Sequence, residues 1–583
     1  MKFLSTSFLL ASIAVNNAVG RGLQHVGKLQ SDYVDAHQRA ADRAARLSST
    51  KQSFSAVIGA TAHLNDKTKP FHVNGTGVPD IDFDIGESYA GLLPISSNPA
   101  EERKLYFWYF PSKNPKASNE ITVWMNGGPG CSSLEGLSQE NGPWLWQYGT
   151  YKPVPNPWTW QNLTNMVWVE QPIGTGFSQG TPNITTEAEL AEEFKGFFRN
   201  FVDTFDLQNR SVYLTGESYA GQYVPNIASS MLDEENKEYF NVTGVMIYDP
   251  SINTDAVLEQ VPTAAFVEYW GGLFPFNDTV KAQIKAMDEK CGYTTYLNEH
   301  LTYPPKGKFP NPHPTTDDCD IFDYVFNTIF DVNPCFDIYQ VATTCPVLWD
   351  INGGPGSGNY LPPGASLYFN RTDVKKAINA PLNTTWLECS SGNVFNTKSG
   401  LDSGAQKGHY SSTTVLPGVI DRVERTVIGH GMLDMVLLMN GTLLSIQNMT
   451  WGGKQGFQEP ITGDFYVPFH DDYQEATLAA SGIMGKTRTE RKLTFVSIFL
   501  SGHMVPQYQP SAAFRHLEFL LGRVDSLESK APFSFFDNGL IAENGIFSDK
   551  RSVDDKADEF QKRQLQYMGL GQPEISQIIA DYH

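Results

Sequence analysis

The chain has 583 residues (64.8 kDa), 40% of them hydrophobic, enough for one very large domain or two ordinary ones with an ample buried core. Its formal net charge is -21, from 43 Lys and Arg against 64 Asp and Glu, which argues against nucleic acid and against an anionic membrane surface as partners. A surface this acidic suits an environment of low pH, where part of the charge is neutralised.

Residues 1–20 (MKFLSTSFLLASIAVNNAVG) combine one lysine, an apolar stretch from Phe8 to Val15 and small residues up to Gly20, the pattern of a secretory signal peptide. No later segment approaches 18 apolar residues and the C-terminus has no hydrophobic tail, so no membrane anchor is expected. Residues 21–55 include a stretch rich in Ala, Gln and Arg, read as a pro-segment or an N-terminal helix. From residue 56 to about 522 runs the main domain. Its candidate strands are LYFWYF (105–110), ITVWM (121–125), MVWVE (166–170), SVYLT (211–215), GVMIY (244–248), RTVIG (425–429) and LTFVSIFL (493–500), with EAELAEEFKGFFRNFVDTF (187–205) as a helix. Strands alternating with helices predict an α/β domain on a mostly parallel sheet.

Residues 251–365 break that rhythm with four of the six cysteines and the Pro-rich YPPKGKFPNPHP, and read as an insertion or cap stapled by its own disulfides. Six cysteines without a CxxC pair predict three disulfides in an oxidising compartment and argue against a zinc site; no metal or cofactor is expected. Ten Asn-x-Ser/Thr sequons, at Asn74, Asn162, Asn183, Asn209, Asn241, Asn277, Asn370, Asn383, Asn440 and Asn448, point to a glycosylated secreted protein. Residues 523–583 form a polar tail whose Lys550-Arg551 and Lys562-Arg563 pairs are candidate processing sites.

GESYAG occurs twice, at 86–91 and 216–221. A nucleophile elbow needs a strand entering, a turn of small residues and a helix leaving. The second copy has all three, between SVYLT and QYVPNIASSMLDEE; the first is entered by DIDFDI and left by GLLPI, so Ser88 reads as a loop or hairpin residue and Ser218 as the nucleophile. An oxyanion loop should follow an earlier strand, as NGGPG does after ITVWM; its second copy, at 352–356, reads as a turn. The order Ser, then acid, then His selects Asp434 after RTVIG and His503 after LTFVSIFL, whereas His430 precedes the acid.

With these residues placed, WMNGGPGCSSLEG, ENGPW, VEQPIGTGFS, GESYAGQYVP, GMLDMVLLMNG and SGHMVPQYQP resemble, in order, the motifs of serine carboxypeptidases of the fungal secreted type, over roughly 85–522. The resemblance implies an α/β-hydrolase fold with a cap. It also implies a Ser218, His503, Asp434 triad acting through an acyl-enzyme, an oxyanion hole of the Gly128 and Tyr219 backbone N–H groups, and peptide and protein C-termini as substrates. The carboxylate of the substrate would be read by Asn126, Glu140 and Glu217 with Trp124 and Gly127 adjoining. Two adjacent carboxyls raise the pKa of at least one and so share a proton that can be donated to the substrate, which predicts an acidic optimum. The resemblance further pairs Cys131 with Cys389, leaving Cys291, Cys319, Cys335 and Cys345 to pair within the insertion in one of three ways. GHGML departs from the family's Gly-Asp-x-Asp approach to the catalytic acid. An esterase or acyltransferase on the same scaffold, or a non-catalytic secreted binding protein, are the competing readings. The destination is the medium or an acidic vacuole.

Overall fold

The computed structural model describes residues 63–353, 365–397, 403–404, 409–470 and 480–534. The signal peptide, the segment 21–55 and the dibasic pairs lie outside them. Eleven strands form one sheet: β1 (His72–Val73), β2 (Ser88–Pro94), β3 (Lys104–Phe110), β4 (Glu120–Met125), β5 (Met166–Glu170), β6 (Ser211–Glu217), β7 (Asn241–Tyr248), β8 (Arg425–Gly431), β9 (Gly463–Val467), β10 (Gly482–Glu490) and β11 (Leu493–Ile498). Their spatial order is β1-β2-β3-β5-β4-β6-β7-β8-β11-β10-β9. The six central strands, β5, β4, β6, β7, β8 and β11, run parallel, and the strands outside them pair antiparallel. All the candidate strands are present, and LYFWYF is antiparallel to β5.

The central strands are nearly continuous apolar runs because both faces of the sheet are covered. Ile121, Val123 and Met125 of β4 point to one face, Trp124 to the other; Val245 and Ile247 of β7 alternate with Met246 and Tyr248 in the same way. On the first face lie helix α1 (Glu187–Phe205), with the bounds the sequence predicts, and α2 (Ala220–Asp233). α1 starts at a reciprocal cap in which Thr186 Oγ accepts the Glu189 N–H and the Glu189 carboxylate accepts the Thr186 N–H. Its Phe194, Phe197, Phe198 and Phe201 pack against Phe107 and Val167. Phe201 is fully buried, and truncating it to Ala would cost about 3–5 kcal/mol. The second face holds Trp108, Trp124 and Trp168 beneath Phe514 and Leu517 of helix Pro510–Leu520.

Between β7 and β8, helices Val261–Tyr269, Asp278–Cys291, Tyr293–His300 and Ile321–Ile329 pack into a separate apolar cluster, closed by disulfides Cys291–Cys319 and Cys335–Cys345. Leu433 and Met435, on either side of Asp434, belong to that cluster, so the insertion's core continues into the segment that carries the candidate acid. Residues 368–386 return to the tryptophan face through Tyr368, Phe369 and Trp386. Cys131–Cys389 then ties this returning segment to the loop after β4, flanked by the bonds Ser132 N to Glu388 O (2.6 Å) and Ser390 N to Gly130 O (2.9 Å).

Ser88, read as a loop or hairpin residue, opens strand β2, fully buried and paired with Val73, and β2 goes on to pair antiparallel with the next strand, β3. Two features differ from the sequence reading. β9 and β10 were not predicted: GDFYV and GIMGKTRTE carry too many polar residues and glycines to read as buried strands, and they lie at the sheet edge. The main body also extends past 522. Val524, Leu527 and Phe533 join the core, and Arg515 holds this stretch by donating to the carbonyls of Ser529 and Ala531. Among the described residues no helix is long and apolar enough to cross a membrane, and none of the ten sequon asparagines is buried.

Candidate active site

Parallel strands end on the same side of a sheet, and five adjacent ones deliver the candidate residues there: β4 leads to Asn126, Gly127 and Gly128, β6 ends at Glu217 before Ser218, β7 leads to Asp249, β8 to Asp434 and β11 to His503. Ser218 has a left-handed φ of 60°, the strained turn of an elbow, and α2 begins two residues later. Its strain is held on both sides: its N–H donates to Tyr248 O and its carbonyl accepts from the N–H groups of Ser251 and Gly221, each at 2.9 Å. Ser218 is half-buried while Gly216, Glu217, Tyr219 and Ala220 are buried, so of these five residues only the serine reaches out.

The NGGPG loop lies against this turn. A Cβ on Gly127 would sit 2.5 Å from the Tyr219 backbone nitrogen and 2.7 Å from Ser218 Cβ, so only glycine lets the two loops meet. Gly128 follows with a φ of 108°. His503 Nδ1 lies 2.8 Å from Asp434 Oδ2, and Asp434 also accepts the N–H of Val436 at 2.7 Å. Both side chains are almost wholly buried. Tyr339 stands edge-on to the imidazole at 5.3 Å and takes the His503 N–H on its carbonyl, so the insertion helps orient the ring. His430, the competing histidine, is 3.9 Å from Asp434 and fully buried, with its Nε2 on Leu437 O at 2.7 Å.

Beside the elbow, the Asn126 amide nitrogen donates toward Glu217 Oε1 (2.9 Å), Glu140 Oε1 (3.2 Å) and Glu135 Oε2 (2.8 Å). The Trp124 indole N–H donates to Asn126 Oδ1 at 2.8 Å, which fixes the orientation of the amide because an indole nitrogen can only donate. Trp124 is itself fully buried and acts through Asn126. Two amide hydrogens serve three buried carboxyls, and among the described residues no Lys or Arg side chain is paired with them. Burial pushes Glu140 up to about 8, against the lowering effect of Asn126; burial first and Glu140 second push Glu217 well above the usual range. Two carboxyls buried this way favour holding a proton between them. Such a group can donate hydrogen bonds to an anion.

Sequence reasoning missed Glu135 and Asp249, and weighed His430 only as a competitor for the base. Glu135 was inside the quoted CSSLEG but carried no signal of its own; Asp249 announces itself only through strand adjacency. In the second NGGPG copy, Asn352 is buried and donates to Ser138 Oγ at 2.8 Å, away from the elbow, while residues 354–356 lie outside the described ones.

Comparisons with known proteins give the family. The family model for serine carboxypeptidases matches residues 79–522. The chain is 55% identical over 541 residues to a probable serine carboxypeptidase of Arthroderma benhamiae, covering 89% of this chain and 98% of that one. It is 44% identical over 539 residues to serine-type carboxypeptidase F of Aspergillus niger, covering 90% and 99%. The crystal structure of Kex1(delta)p, a prohormone-processing carboxypeptidase from Saccharomyces cerevisiae, superposes with a TM-score of 0.60 at 20% identity over 79% of this chain and 98% of that one, a likeness of fold. A match across most of the chain, with an elbow, a His–Asp pair and a buried carboxyl pair at adjoining strand ends, places the chain in the serine carboxypeptidase family.

Proposed function

We propose that this serine carboxypeptidase works through Ser218, His503 and Asp434, with Asn126, Glu140 and Glu217 reading the free carboxylate of the substrate. Ser218 Oγ attacks the last peptide carbonyl as His503 takes its proton, and the Gly128 and Tyr219 N–H groups stabilise the oxyanion. His503 then protonates the leaving amine, releasing the C-terminal amino acid, and water hydrolyses the acyl-enzyme by the reverse proton path. Asp434 orients the imidazole and stabilises its charged form.

The observation that carries this reading is the buried Glu140 and Glu217 pair held on the Asn126 amide beside the elbow. In acid the pair and Asn126 donate to the substrate carboxylate; as pH rises through about 8, where Glu140 ionises, the pair gains negative charge and repels the same group. Trp124 and Gly127 support it, one by aiming the amide and the other by letting the loops touch. The substrates are peptide and protein C-termini. The signal peptide and sequons assign the protein to the secretory route, with exposed Asn74, Asn183, Asn209, Asn277 and Asn383 as the most accessible glycan sites. Its endpoint is the medium, with an acidic vacuole as the alternative.

The test is hydrolysis of one blocked dipeptide as its free acid and as its C-terminal amide, from about pH 4 to about pH 8. The reading predicts that the free acid is cleaved best in acid and that the amide profile is flatter. Equal rates on both substrates at every pH would remove the carboxylate-reading role.

A further inference from the structure

Behind the triad lies a second carboxyl that the reaction just described does not use. Asp249 follows β7, and one of its oxygens, one of Asp434 and a ring nitrogen of His503 all fall within 4.8 Å of one another. Asp249 and Asp434 are buried and stand in hydrogen-bonding position to each other. Asp249 Oδ1 accepts the Gly431 N–H at 2.8 Å, while Oδ2 is buried with no N–H or O–H aimed at it. The groups facing this carboxyl are Asp434 and His430 from β8 and its turn, His503 from the loop after β11, and Glu217 and Glu140 from the carboxylate-reading side.

Among the described residues no Lys or Arg side chain is paired with either aspartate. Apart from the triad imidazole of His503, whose Nδ1 is 2.8 Å from Asp434, the basic nitrogen beside them is His430 Nε2, 3.4 Å from Asp249 and 3.9 Å from Asp434, but its 2.7 Å partner is the Leu437 carbonyl, which can only accept. The ring therefore carries its hydrogen on Nε2, and Nδ1, buried and without a partner, has no acceptor to stabilise a second proton. Burial accordingly lowers His430 to about 4 and leaves it neutral. Two carboxyls buried side by side, with a neutral histidine on one flank and the single Nδ1 of His503 on the other, favour holding one proton between them.

We propose that Asp249 is a positioning residue of the triad: as a neutral carboxylic acid it donates its proton to Asp434, spreading the charge that Asp434 offers the imidazole. Burial first and Asp434 second push Asp249 well above the usual carboxyl range, in keeping with that state. The consequence is functional. An Asp434 whose charge is shared stabilises the imidazolium less, so His503 stays available as a base in acid, where the carboxylate reader also works.

The inference rests on the triad assignment above, and the experiment separates the two. It follows kcat/KM against pH on a blocked amino-acid ester, which has no free carboxylate and so leaves Glu140 and Glu217 out of the measurement. Asp249→Asn keeps a donor of the same shape and should hold the acid limb where the wild type has it. Asp249→Leu has no donor and should move that limb up by about one to two pH units, the worth of one hydrogen bond to a charged group, with a 10- to 100-fold loss at low pH that shrinks on the plateau. An unmoved limb in Asp249→Leu overturns the proposal, whereas ester hydrolysis surviving in Ser218→Ala overturns the triad. If Asp249→Leu does not fold, infrared difference spectra of wild type and Asp249→Asn near pH 7 decide. Loss of a protonated-carboxyl C=O stretch supports the proposal, and absence of such a difference overturns it.

Discussion

The two copies of GESYAG have the same six residues and different structures. In the first, Glu87 accepts the His63 N–H and the Tyr89 hydroxyl, Ser88 is sealed in the sheet, and the chain continues as an antiparallel strand. In the second, Glu217 shares Asn126 with Glu140, Ser218 turns through a left-handed φ, and the chain continues as a helix. Flanking sequence makes the difference. The strand that SVYLT begins pairs with parallel strands on both sides and runs to Glu217, after which Ser218 turns; DIDFDI has no comparable apolar run, so the strand begins inside the motif. A hexapeptide is a nucleophile elbow only where a parallel strand delivers it to the edge of the sheet.

This contrast can be broken most severely at the serines. Ser218→Ala should lower kcat by about 10⁶-fold, whereas Ser88→Ala, which removes a hydroxyl without a partner, should leave kcat within about twofold in the same assay. The glutamates come next. Glu217→Gln should shrink the preference for a free-acid peptide over its amide by about 10- to 100-fold at acid pH, the worth of one charge-assisted hydrogen bond, and Glu87→Gln should not change it.

Stability against pH separates the surroundings of the second copy from an ordinary acidic surface. Burial raises Glu140 to about 8, and also Glu187, which accepts the Tyr219 hydroxyl, to about 8; Glu170, beneath Ser132, rises to about 7. Carboxyls whose folded pKa is raised bind more protons folded than unfolded, so stability falls as pH climbs from about 4.5 to about 8. Thermal unfolding should therefore show a lower Tm near pH 8 than near pH 5. The smallest effect is at the first copy: Glu87→Ala strips the Tyr89 hydroxyl of its acceptor and should cost about 1–3 kcal/mol in urea unfolding with no loss of kcat.

Much of this was legible in the chain. α1 could be read residue by residue because Phe spacing and the Thr186–Glu189 cap agree, and the central strands because burial on both faces leaves almost no polar positions. Ser218, Asp434 and His503 followed from order and from strand ends. Cys131–Cys389 was implied by resemblance, and the two pairings in the insertion needed coordinates because several partners were equally open. The edge strands β9 and β10 were hidden by their polar faces. The contact of Asp249 with His430 was hidden for a different reason: Asp249 stands in no motif, and 181 residues of sequence separate two positions that the pairing of β7 with β8 puts side by side.

The measurement that bears most directly on the central claim is covalent labelling with a fluorophosphonate, followed by mass mapping of the two GESYAG peptides. Modification confined to the peptide carrying Ser218, with activity lost in proportion, is the predicted result. Modification at Ser88, or inactivation that leaves Ser218 unlabelled, would contradict it.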